Sequence, residues 1–155
     1  MFAHRIPKPL ACASGSILAC LLLAGCTGQL PQGYVRVEDH SGARFRAVSA
    51  DECVLTLHRE RNPKGGDLAF WEKTITQRLT TVRGYALANR MEVDNNSTRG
   101  LRMVFDCHRD GIEYTYLLGL FVKGDAVHVF EAAGQKDRMQ KDMAEIVKTI
   151  QRWPL

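Results

Sequence analysis

Apolar residues recur at spacings of three and four through Leu68, Trp71, Ile75, Leu79 and Val82, which puts them on one helical stripe. Asp67 supplies an N-cap and Gly84 a stop, so the pattern predicts a helix over 67–83. A second stripe, Met139, Met143, Ile146, Val147, Ile150 and Trp153, predicts a closing helix that ends at Pro154. Between these stripes the period changes to that of strands. Short apolar runs at 85–93, 99–107, 113–122 and 126–133 are separated by Asp94-Asn95-Asn96-Ser97, Arg109-Asp110-Gly111 and Lys123-Gly124-Asp125. Such breaks are hairpin chemistry, so the four runs are expected as antiparallel neighbours, with Gly134 ending the last. Apolar residues of both parities in 117–122 predict a central strand covered on both faces.

Upstream, Tyr34-Val35-Arg36-Val37 reads as a strand, and 43–48 with 52–59 as a hairpin around Ser49-Ala50-Asp51. Cys53, Leu55 and Leu57 share one face of its second strand. The order strands, helix, four-strand meander, helix predicts an α+β domain: an antiparallel sheet flanked by an internal and a C-terminal helix.

The first 25 residues follow a different logic. Arg5 and Lys8 precede the apolar run Ile17-Leu18-Ala19-Cys20-Leu21-Leu22-Leu23 and the small pair Ala24-Gly25, the three-part build of an export signal. Ser14, Gly15 and Ser16 interrupt that run, leaving it short of the roughly 20 apolar residues of a membrane helix. Leu23-Ala24-Gly25-Cys26 resembles the lipobox of bacterial lipoprotein precursors, which implies that Cys26 is acylated and becomes the first residue of the mature chain. Each buried methylene contributes about 0.8 kcal/mol, so more than one acyl chain gives a stable anchor. Thr27 is not the Asp associated with inner-membrane retention, and the resemblance therefore implies an outer-membrane lipoprotein facing the periplasm. Residues 26–33, the lipid-bearing Cys26 with a polar stretch containing Gly and Pro, are expected as a flexible tether to a single domain over 34–155.

Composition adds two limits. With 45% hydrophobic and 25% charged residues the chain is ordinary for a globular protein, and about 130 mature residues suffice for one core. The formal charge of +4 includes Arg5 and Lys8 of the leader, and what remains is too small an excess to imply a nucleic-acid partner.

The segments Tyr114-Thr115-Tyr116-Leu117-Leu118-Gly119-Leu120-Phe121-Val122, Gly124-Asp125 and Val129-Phe130-Glu131-Ala132-Ala133-Gly134, leading into an amphipathic helix, resemble small bacterial lipoproteins of the PsbP-like fold. The resemblance spans roughly residues 43–153 and implies an α/β/α sandwich. It also implies a non-catalytic binding or assembly protein, and it carries over no functional residue.

Candidate chemistry is sparse. Cys12 and Cys20 leave with the leader, so Cys53 and Cys107 remain in an oxidising compartment, either as a disulfide or as two separate buried thiols. His40, His58, His108 and His128 fall at no metal-ligand spacing, and Cys107 and His108 point to opposite strand faces. Glu113 and Glu131 are single acids in strands, and no nucleophile elbow, Walker loop or dinucleotide glycine pattern occurs. Arg59, Arg61, Lys64 and Lys73, like Lys136, Arg138 and Lys141, read as solvated basic faces. No cofactor or metal is expected. The expected role is a membrane-anchored accessory that binds an envelope protein, with Phe70, Tyr114 and Tyr116 as candidate anchors. A carrier of a small apolar or lipid ligand is the first alternative, and an unrecognised hydrolase the second.

Overall fold

The computed structural model describes residues 28–39, 42–96 and 98–155. The leader, Cys26 and His40 lie outside the described residues.

Seven strands form one antiparallel sheet among the described residues: β1 (Tyr34–Arg36), β2 (Phe45–Ser49), β3 (Val54–Arg61), β4 (Ala86–Asn95), β5 (Thr98–Arg109), β6 (Ile112–Lys123) and β7 (Ala126–Gln135). Their order is β1-β2-β3-β7-β6-β5-β4, so the last four make the expected meander and β3 closes against β7. The helices are α1 (Leu68–Gln77) and α2 (Lys136–Arg152). The α+β class is as the element order predicts, and the sandwich is as the resemblance implies.

Side-chain alternation along the strands divides the core into two layers. Leu55, Leu57, Leu117, Phe121, Phe130 and Ala132 face α2, which contributes Met139, Ile146 and Ile150. Leu101, Met103, Phe105, Leu118, Leu120 and Val127 face α1. β6 therefore feeds both layers from adjacent residues, which is why 117–122 is apolar on both parities.

The two helices cover their faces unequally. Four residues of α2 are buried, whereas none within Leu68–Gln77 is; α1 is a narrow cover. It starts as predicted, with the Asp67 carboxylate accepting from the Phe70 N–H at 2.7 Å. It then widens into a π-helical turn at Arg78–Val82 before Gly84 at φ 71°, so the predicted 17-residue stripe is two kinds of helix.

The structure refines three readings. Gly134 does not end β7; it pairs with Thr115 inside the strand. A Cβ there would sit 2.6 Å from Cys53 Sγ and 3.1 Å from Met139 Cγ, so the glycine permits a close approach rather than a stop. The expected tether is packed over its described part: Pro31 is buried, Leu30 rests on the α2-side core, and Gly28 lies against the Trp153 ring. Apolar Leu30 and Pro31 find a core edge to cover.

Cys53 and Cys107 are free thiols, not a disulfide. Cys53 precedes Val54, which pairs with Ala133 of β7, while Cys107 pairs with Tyr114 of β6. Three strand spacings of about 4.8 Å separate them, roughly 14 Å against a disulfide limit near 7 Å. Cys53 also belongs to the α2 layer, whereas Cys107 alternates with Phe105 onto the α1 side. Strand parity turns both inward, but this sheet has two insides.

Candidate functional site

The α1-side core takes nothing from β1, β2 or β3. On that half of the sheet Val35 is 61% exposed, and Val48, Val54, Thr56 and His58 are only half-buried. The helix ends its coverage over β6, and along its border runs a cleft of about 630 Å³. Its apolar walls include Trp71, Ile75 and Leu79 from the helical side and Leu118, Val127 and Val129 from the sheet. Helical periodicity aims the first three at the sheet, and among the described residues no second helix covers the groove along β7 and β3.

One part of the groove is polar. The Tyr116 hydroxyl donates to Glu131 Oε1 at 2.5 Å, the Thr56 hydroxyl donates to Oε2 at 3.4 Å, and His58 Nε2 lies 3.4 Å from Oε2. Three neighbouring strands thus converge on one carboxylate. Burial first, and then the Glu131 charge, push the Tyr116 hydroxyl far above its ordinary range, so it stays a protonated donor. Arg78 and Arg83 add positive charge on the helical side. An apolar trough with one fixed carboxylate and two guanidinium groups suits an amphipathic ligand or peptide segment.

The sequence did not single out this constellation. Glu131 looks isolated in sequence because its partners lie 15 and 75 residues away. The alternation Thr56, His58 against Val129, Glu131 was the available signal, but pairing β3 with β7 is a tertiary fact.

Of the candidate anchors, Phe70 is 56% exposed on α1, with its ring edge-on to Trp71 at 5.5 Å. Tyr116 is packed against the α1-side core beside Tyr85 and Phe105, and Tyr114 is half-buried; the contact with Tyr85 is not legible from strand parity. The Cys107 thiol donates to the Tyr114 carbonyl at 3.6 Å, while His108 reaches across its hairpin to Glu113 at 3.1 Å. Glu113 also meets Lys136 at 3.4 Å, and these two partners hold its carboxyl below the usual range. Arg138 meets Glu52 at 3.2 Å, so part of the predicted basic face is paired. Among the described residues no group of three or more His, Cys, Asp or Glu is placed to hold a metal ion. No described helix is long and apolar enough to cross a membrane.

No protein-family model matches the chain, and no curated protein sequence does. Solved structures do match. The cyanobacterial PsbP protein CyanoP of Synechocystis sp. PCC 6803 superposes with a TM-score of 0.59 at 14% identity, covering 77% of this chain and 79% of that one. The fold is PsbP-like. LpqN of Mycobacterium tuberculosis, a protein involved in cell envelope biogenesis, superposes with a TM-score of 0.57 at 13% identity, covering 79% and 78%. At such identity the PsbP-like likeness concerns architecture, and the groove must be judged on its own residues.

Proposed function

We propose that this protein is a lipid-anchored envelope lipoprotein whose PsbP-like domain is a non-catalytic binding or assembly accessory for another envelope protein. The observation that carries the reading is the uncovered half of the sheet beside α1. A small domain that places half-exposed valines and a groove on one face gains by covering them, and a partner segment does so. Phe70 at the helix and the Glu131 carboxylate in the groove offer an apolar and a polar contact for that segment. The envelope setting is supported by the lipobox-like Leu23-Ala24-Gly25-Cys26 and by the envelope role of LpqN.

A photoreactive residue placed at Thr56 in intact cells tests this, with a second at solvent-facing Lys141 on α2 as the control. A reproducible envelope protein captured from position 56 alone is the expected result. Capture of phospholipid alone from position 56 would favour the carrier of a small apolar or lipid ligand, the reading that the 630 Å³ cleft supports. Mass spectrometry of the same membranes reports whether Cys26 carries acyl mass.

A further inference from the structure

At the far end of the α2-side face, where β1 and β3 finish and β2 begins, lies a second groove of about 780 Å³. Arg36, Arg44 and Arg59 line it around Phe45 and Trp153. Sequence separation hides this cluster; the β1-β2-β3 meander assembles it by bringing the ends of three strands together. The Arg36 guanidinium lies over the Phe45 ring at 5.3 Å, and the Phe45 and Trp153 rings are 4.8 Å apart. Among the described residues none of the three arginines makes an ion pair, although Arg46 nearby pairs with Asp39 and Arg138 with Glu52. Three guanidinium groups with no ion-pair partner among the described residues, set around an aromatic floor with Leu155 on the rim, form a seat for an anion with an apolar side.

A neighbour reports the same field. His128, across the sheet from Arg59, is 2% exposed, and its Nδ1 has no hydrogen-bond partner. Burial, then Arg59, Arg44 and Lys123, push its pKa down.

The tether supplies the second, independent observation. Gly28 and Leu30 line this groove, and a Cβ at position 28 would fall 2.2 Å from Trp153 Cε3, so the chain is pressed onto the ring where it leaves the domain. Cys26 is two residues further on. Two residues of extended chain span at most about 7 Å. An acyl anchor on Cys26 therefore keeps this groove within reach of the bilayer surface, and the charge of the lipid decides whether the domain turns it inward.

We propose that Arg36, Arg44 and Arg59 dock on the phosphates of anionic phospholipid headgroups in the membrane that carries the Cys26 anchor, fixing the domain's orientation. This rests on the lipoprotein reading above. Guanidinium groups pair with phosphate oxygens bidentately, and aromatic rings favour the headgroup level. The groove then faces the membrane while the open sheet half and the α1 cleft, on the opposite face of the sheet, stay free for a partner.

The test uses the full-length protein, with acylation verified by mass, in vesicles of phosphatidylcholine alone or mixed with phosphatidylglycerol. The chain has two tryptophans, so Trp71→Phe leaves Trp153 as the sole reporter, quenched by a nitroxide on the lipid headgroup. Quenching should be strong with phosphatidylglycerol, weak without it, and reduced by salt, which needs no further substitution. Each arginine lost should shift the docked-to-undocked ratio about fivefold, so R36E, R44E and R59E together abolish the difference between the two vesicles. Lys141→Glu, about 18 Å along α2, should leave it intact. Equal, salt-independent quenching in both vesicles with acylated protein would overturn the docking and leave the anchor standing. Absence of acyl mass would overturn both.

Discussion

Asn95, the last residue of β4, donates its side-chain amide to the carbonyl of Trp153, 58 residues away, at 2.8 Å, and to that of Ile150 at 2.6 Å. Both are carbonyls at the C-terminal end of α2, which an intrahelical partner no longer satisfies. Asn95 is 1% exposed, so water does not substitute. The bond ties the outermost hairpin to the closing helix and holds Trp153 in place.

Asn95→Leu keeps the volume and removes the donor, stranding both carbonyls. The expected loss is about 2 kcal/mol in chemical denaturation, since a buried polar group left unpaired costs about 1–3 kcal/mol. Asn95→Asp should lose more, because it puts a carboxylate against two carbonyl oxygens. A variant as stable as the parent would show that the cap does not hold α2.

The contact of Gly134 with Cys53 gives a two-residue test. Gly134→Ala should destabilise by about 1–3 kcal/mol, because its Cβ meets Sγ at 2.6 Å in a filled core. In a Cys53→Ala background that sulfur is gone, and the cost of Gly134→Ala should fall below about 1 kcal/mol. Additive losses would mean that Gly134 matters for something other than this approach.

Histidine 128 makes stability depend on pH. Its folded pKa is depressed by burial and by Arg59 and Arg44, so the unfolded chain takes up a proton first as pH falls below about 6.5. Stability contributed by the neutral imidazole is whole above that pH and is lost as pH drops toward the folded pKa. The slope is at most about 1.4 kcal/mol per pH unit. His128→Gln should flatten the denaturation profile between about pH 7 and pH 5; an unchanged slope would place the dependence elsewhere.

Local chemistry made most of the architecture legible. Asp67 and Gly84 bound a helical stripe, the turn residues around Gly111 and Gly124 set the meander, and Leu117 with Leu118 announced a strand with two covered faces. What sequence could not supply was which face each inward residue joins. Cys53 and Cys107 were both read as inward and lie in different layers, and Glu131 looked solitary until β3 paired with β7. The arginine groove was hidden for the same reason: Arg36, Arg44 and Arg59 are neighbours only after three strand ends meet. Gly134 shows the remaining gap, since a glycine that permits contact and one that ends a strand are identical on paper.

The sheet's two borders also bear on how many copies can coexist. β1 offers only three residues, and β4, the longer border, shifts register between Leu87 and Asn89 and carries Arg90, Glu92 and Asp94. An irregular, charged margin on one side and a stub on the other give neighbouring molecules no straight ladder to extend. Even at high local density the domain can crowd against its own copies without zipping into fibres.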